Sequence, residues 1–429
     1  MEQEELKRKL MGLWEKTTHN SKEILSVLFD YYFDVEYIEY KESEGKIISA
    51  LCGIPYSFGY GDKRLKGLYL ISLSAEEGFR KKGILSELLN SFNERVSEEF
   101  DFTFLVPHTE LLADYFGTQD YYSSFFILEE RFTSLHDFRN DYLLSLEDSD
   151  DRIKELKKDL IDEIYIAGKD NGSFTDKDII EYIRNIEKIG TSTVNLCHTE
   201  KDLEFILEED MVKNTDYFVS FDSDNKITGI LFIHKEDIKR IRVIASYVSD
   251  KCSYYALLDY IKRLYPEYSI SINTSDPQYQ YNAIIQQNYA SSNPEGGDLD
   301  NTFNSVDIPF NINKLLLPLG MVRLLRFENI LKYIAETRSD VDFKLHIRDY
   351  VPPFSHESLK DPDKHTVYIV KNGRFTLSKV SDPQKDASIL NLSGKEVSEL
   401  LLRKNDTSNL IMEAFGIPRL NLQMRLLPC

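Results

Sequence analysis

Apolar positions recur at helical spacing from residue 4 to residue 33: Leu6, Leu10 and Leu13, then Ile24, Leu25, Leu28 and Phe29, with a break near "TTHNS". The pattern then changes to the two-residue period of strands. "VEYIEY" (35–40), the turn "KESEG" and "KIISALCGIP" (46–55) predict a hairpin. "GLYLISLS" (67–74) predicts a further strand, and "EEGFRKKGILSELL" (76–89) a turn that opens into a helix. "FTFLVP" (102–107) has the pattern of a short buried strand, "TELLADYF" of a helix and "SSFFILEERFTSL" of a returning strand. This order defines an α/β fold.

The same order recurs downstream. "YFVSF" (217–221), "DSDN" and "KITGILFIH" (226–234) parallel the first hairpin. "RIRVIASYV" (240–248), "SYYALLDYIKRL" (253–264) and "YSISIN" (268–273) parallel the strand, helix and strand that follow it. A repeat of roughly 175 residues is far longer than a solenoid unit and implies a duplicated domain. "LEDSDDRIKELKKDLIDEIY" between the halves is acidic and then helical, and "ASSNPEGGDLDNTFNS" (290–305) has the composition of a linker. Beyond it, "MVRLLRFENILKYIAE" (321–336) predicts a helix and "VDFKLHIRD" (341–349) a strand. "TVYIVKNGRFTLSKV" (366–380) predicts a hairpin turning on Asn372-Gly373, and "SGKEVSELLL" (393–402) a helix. The expected domains are 1–140, 141–300 and an α+β unit over 301–429.

Composition narrows the function. The 429 residues carry a net charge of -20, from 72 acidic against 52 basic side chains, which disfavours nucleic acid and is compatible with a cationic substrate. Four dispersed cysteines and the absence of HxH or HExxH pairs point to a reduced, cytoplasmic setting without a catalytic metal. The N-terminus has no apolar run suited to a signal peptide or membrane span, so no membrane partner is expected.

Against this acidic background, Arg80, Lys81, Lys82 and Gly83 stand together where a strand feeds a helix. A helix start offers unpaired N–H groups and the positive end of a dipole, glycine removes a side chain, and the bases add charge. The group reads either as an anion cradle or as a solvated basic helix start. The second repeat has "VSDKCSYYALL" at this point, with one base and no glycine, and reads as scaffold.

Arg80-Lys81-Lys82-Gly83-Ile84-Leu85 resembles the R/Q-x-x-G-x-G/A loop of GNAT acyltransferases, which cradles the pyrophosphate of coenzyme A; here leucine fills the last slot. With "LVPHTELLADYF" and "MVRLLRF", the whole chain resembles the enhanced intracellular survival branch of that superfamily: tandem GNAT domains followed by a sterol-carrier-like (SCP2-like) α+β domain. The resemblance implies a cytoplasmic, multimeric acetyl-CoA-dependent N-acetyltransferase. Its acceptor would be a small-molecule amine, with aminoglycosides and polyamines among the candidates. Leu73, Ser74 and Ala75 would face the pantetheine arm; Arg80, Lys81, Lys82, Gly83, Ile84, Leu85 and Ser86 would form the pyrophosphate loop.

The resembled branch uses a tyrosine as general acid, five residues before an aromatic that follows a glycine. Counted back from Tyr121, that position is Phe116, and Asp120 fills the glycine slot. A one-residue slip in "GTQD" would put the Tyr115 hydroxyl there; otherwise Tyr115 packs. The base of the branch is the terminal carboxylate, here on Cys429. Loss of the acid would leave an alternative function, a CoA-binding scaffold with weakened catalysis.

Overall fold

The computed structural model describes residues 3–18, 20–60, 62–147, 165–167, 174–188, 194–213, 215–222, 224–274, 312–350, 365–402 and 422–423. They fall into two compact units. One comprises Met1–Phe125, Gly190–His198 and Pro318–Leu422; the other comprises Phe126–Ile189, Thr199–Leu317 and Gln423–Cys429.

The first unit opens with helices α1 (Gln3–Thr17) and α2 (Lys22–Tyr32). The apolar stripe of α1 is buried at Leu6, Leu10, Leu13 and Trp14, and Trp14 stacks on Phe29 of α2 at 5.5 Å. Strands β1 (Ile38–Ser43), β2 (Lys46–Tyr60) and β3 (Lys63–Ala75) run antiparallel in succession. Helix α3 (Ile84–Val96) then crosses to β4 (Phe102–Leu105), which is parallel to β3.

Side-chain alternation on β4 explains how the helix is held. Phe102 and Phe104 join Phe58 in an aromatic cluster, with ring centroids 5.1 and 5.2 Å from Phe58. Leu105 joins the α3 residues Leu88, Leu89, Phe92 and Val96 in a second core. Burying each of these large apolar side chains contributes about 1.5–3 kcal/mol. Gly67 is required where β3 and β4 meet, because a Cβ there would lie 2.7 Å from the Phe102 ring.

Helix α4 (Glu110–Gly117) and strand β5 (Tyr122–Phe132) follow. In the first unit the strand order is β7-β2-β3-β4-β12, with β7 (Val194–Cys197) and the end of β12 (Ile312–Leu324). The helix expected over 321–336 begins only at α9 (Phe327–Thr337), because Met321–Leu324 pair antiparallel with β4. The apolar spacing of Met321, Val322 and Leu324 suits either state, and the open edge of β4 decides for the strand. A separate small sheet has the order β15-β14-β13-β16 (Arg374–Val380, His365–Lys371, Asp342–Ile347, Ile389–Leu392). Asn372 and Gly373 turn its hairpin with φ of 48° and 74°, as a type I′ turn requires. The last helix among the described residues of this unit, α10, spans Gly394–Leu402.

The second unit contains α5 (Phe138–Glu147), β6 (Tyr165–Ala167), α6 (Asp176–Lys188) and α7 (Glu200–Lys213). They are joined by β8 (Asp216–Phe221), β9 (Ile227–Glu236), β10 (Arg240–Val248), α8 (Lys251–Leu264) and β11 (Ser269–Thr274). The end of β5 pairs with β11, giving β5-β11-β10-β9-β8-β6. The pairing senses repeat those of the first unit: β8/β9 and β9/β10 antiparallel, then α8, then β10/β11 parallel. Helix α8 buries Tyr254, Leu257, Leu258 and Ile261 in a core of its own. Residues 148–164 of the expected charged helical connection and the whole expected linker, 290–305, lie outside the described residues.

Candidate functional site

The site is built where β3 leaves its neighbours. On one side, Ala50 pairs with Ser74 and Cys52 with Ile71, so Ser72 and Leu73 together oppose the single residue Leu51. This bulge puts Ser72 at φ 54°. On the other side, the register with β4 covers Gly67–Tyr69, and past Tyr69 the strands part. Ser49 Oγ donates to the Ser74 carbonyl at 2.9 Å, and Arg80 Nε donates to the Ala75 carbonyl at 3.1 Å. The buried Ser74 hydroxyl has no hydrogen-bond partner among the described residues.

A 3-10 turn (Glu77–Phe79) leads to the basic group. Lys81 adopts φ 61° and Gly83 φ 77°, and helix α3 begins directly after. Gly83 is the N-cap, and no side chain caps this helix. The first-turn N–H groups of Ile84, Leu85 and Ser86 therefore have no intrahelical acceptor. The aligned peptide dipoles place roughly half a positive charge at that end. A Cβ on Gly83 would meet nothing within 4 Å, so glycine is needed here for its backbone angle and leaves the approach open. The three bases behave differently. Arg80 turns back and braces the loop, while Lys81 and Lys82 are exposed and the Lys82 ammonium lies 5.1 Å from the Phe79 ring centroid.

The second unit handles the equivalent helix start in the opposite way. The N-cap of α8 is Asp250, whose carboxylate accepts from the Ser253 N–H at 2.9 Å and from the Ser253 hydroxyl at 2.9 Å. Its own anion occupies the positive end of the helix. The cap signal was present in the sequence as an aspartate three residues before serine.

Tyr115 and Phe116 separate clearly. Phe116 is buried beside Tyr121, whereas Tyr115 is half-buried with its hydroxyl 2.9 Å from Ser86 Oγ in the first turn of α3. Asp120, in the glycine slot, has φ 61°. Two residues beyond Thr118, the C-cap of α4, it takes the left-handed conformation that glycine favours and aspartate tolerates, and the Tyr121 N–H closes the turn onto the Phe116 carbonyl at 3.2 Å. Leu73, Leu85 and Tyr115, which lie far apart in sequence, pack against one core. Cys429 lies outside the described residues.

A buried polar network missed in the sequence supports this corner. Thr103 Oγ1 lies 2.8 Å from the Tyr121 hydroxyl and donates to Asn93 Oδ1 at 2.9 Å, while Asn93 Nδ2 donates to the Tyr121 oxygen at 3.2 Å. It joins α3, β4 and the start of β5. Burial raises the Tyr121 pKa, and the bonds with Thr103 and Asn93 oppose that rise.

Among the described residues no group of His, Cys, Asp and Glu could hold a metal ion, and no helix is long and apolar enough to cross a membrane.

The fold is that of the GCN5-related N-acetyltransferases. A conserved Enterococcus faecalis protein named a probable N-acyltransferase is similar over 99% of this chain and 97% of its own, with TM-score 0.66 and 12% identity. A GCN5-related N-acetyltransferase from Anabaena variabilis is similar over 95% of this chain and 90% of its own, with TM-score 0.60 and 13% identity. Eis1 from Mycobacterium abscessus covers the same shares, with TM-score 0.58 and 10% identity. No protein-family model matches the chain, and no curated protein matches it.

Proposed function

We propose that this protein is an acetyl-CoA-dependent N-acetyltransferase acting on a small-molecule amine. The observation that carries the reading is the contrast between two helix starts of like topology: α3 is uncapped behind Gly83, and α8 is filled by Asp250. A cradle for a diphosphate fits the first and is occupied in the second, so one cofactor site per chain follows.

The N–H groups of Ile84, Leu85 and Ser86 would hold the diphosphate, with Lys81 and Lys82 supplying charge. The parted edge of β3 at Leu73–Ala75 would lie along the pantetheine arm. Acetyl-CoA supplies an activated thioester when bound. Tyr115 holds a proton at its Oη beside the first turn of α3, where a departing thiolate would take it. An amine acceptor must lose its own proton before it can attack, since an alkyl ammonium has a pKa of about 10.4. Aminoglycosides and polyamines suit the chain's net charge of -20. A sterol-carrier-like third domain, homo-oligomerisation and a cytoplasmic location belong to the same proposal.

Gly83→Glu tests the cradle, because it puts bulk and negative charge at the uncapped helix start. The wild-type chain should bind CoA in a calorimetric titration and Gly83→Glu should not. Unchanged affinity would remove the site from residues 80–86. Wild-type protein with acetyl-CoA and a panel of polyamines and aminoglycosides should release free thiol. The burial of Phe116 in the expected tyrosine slot favours a second reading, a CoA-binding scaffold. CoA binding with thiol release no faster than hydrolysis would select it.

A further inference from the structure

Ser86 is the third residue of α3, and its backbone N–H belongs to the uncapped helix start. Its side chain does something separate: the hydroxyl reaches to another helix and meets Tyr115 Oη at 2.9 Å. The Tyr115 ring is also held edge-on by Phe116, with centroids 5.2 Å apart. The ring is thus fixed at its flank and at its hydroxyl, and the hydroxyl is fixed by the element that forms the cradle.

A phenol has one proton and can also accept. If Tyr115 donated to Ser86, its proton would be engaged within the protein. If Ser86 donates to Tyr115, the tyrosyl O–H is left to point outward. We infer that Ser86 is a positioning residue that donates its hydroxyl proton to Tyr115 Oη, directing the tyrosyl O–H away from α3 and toward the reacting sulfur. This inference rests on the proposed transferase function. When Tyr115 gives up its proton, the negative charge stays on Oη, where the Ser86 O–H and the positive end of α3 both face it. The proton passes to the thiolate, so charge is conserved within the pair of reacting groups and no further reactant is needed.

The test combines a spectroscopic readout with kinetics. 3-Fluorotyrosine placed at position 115 by stop-codon suppression gives one ¹⁹F resonance. Ser86→Ala should move that resonance, Ser86→Thr should keep it in place, and CoA should shift it in the otherwise wild-type chain. In steady-state assays, Ser86→Ala should lower kcat about tenfold with CoA affinity within about twofold, because the backbone amide is retained and only the acid is misplaced. Ser86→Thr should restore kcat. The double variant with Tyr115→Phe should be no slower than Tyr115→Phe alone, since both changes remove one device. A resonance that CoA moves but Ser86→Ala leaves unmoved would overturn the pair while leaving the cofactor site standing. Multiplicative losses in the double variant would overturn it as well. A resonance indifferent to CoA would overturn the cradle assignment, and the role given to Ser86 with it.

Discussion

The buried Asp101 carboxylate takes a 2.7 Å hydrogen bond from the side-chain amide of Asn329, on helix α9. Its other oxygen accepts from the Lys66 N–H at 2.8 Å, and its carbonyl accepts from the N–H groups of Leu325 and Arg326 at 2.9 and 3.1 Å. One residue at the start of β4 thereby fastens the segment 325–329 to the first sheet.

Asn329→Ala should leave one oxygen of this buried carboxylate without its donor, at a cost of about 2 kcal/mol. A lowered thermal midpoint of the full chain checks it. Burial already raises the Asp101 pKa, and the bonds from Lys66 and Asn329 oppose the rise. A raised carboxyl favours the folded state at low pH, and that contribution is lost as pH rises through the folded pKa. Removing Asn329 should push the pKa higher still, which a carboxyl NMR titration of both proteins would detect. A fall in the variant would count against the hydrogen bond.

Asp120 occupies a position with φ 61°. Asp120→Gly should stabilise the first unit by about 0.5 kcal/mol, and Asp120→Val should destabilise it by 1 kcal/mol or more, on the order of the usual left-handed penalty. Denaturant unfolding of the two variants gives the comparison, and equal stabilities would contradict it.

Tyr121→Phe removes one member of a closed network while leaving Thr103 and Asn93 buried. The loss should be about 1–3 kcal/mol, the range for a stranded buried polar group. A lowered thermal midpoint of the full chain checks it, and an unchanged midpoint would contradict it.

Asp340 pairs with Arg338 through two hydrogen bonds of 2.9 Å, which hold its carboxyl down to about 2. A depressed carboxyl contributes stability above its ordinary pKa and loses it as pH falls from there toward about 2. In Arg338→Ala the midpoint should return toward the ordinary 3.8, measurable by NMR on the surface carboxylate.

Local periodicity was sufficient for the recurring hairpin, helix and strand, because each element is amphipathic against its own unit's core. The Asn372-Gly373 turn was equally direct, since few dipeptides adopt two positive φ angles in succession. Residues 321–324 escaped that logic: their apolar pattern suits helix and strand alike, and only pairing with β4 separates them. In the candidate site, Gly83 and its bases were legible because helix-start chemistry is local. The Ser86–Tyr115 contact was not, because it spans 29 positions and two helices whose packing no short motif encodes. The Asn93–Thr103–Tyr121 network was hidden for the same reason.

The Asp250 carboxylate gives the second unit an internal counter-ion that no dilution can remove. Opening a berth for an anionic ligand there would require evicting a tethered competitor as well as adding lysines and a glycine. Point changes that introduce only a basic loop should therefore stay silent, and an engineered anion site in this unit would have to begin at that aspartate.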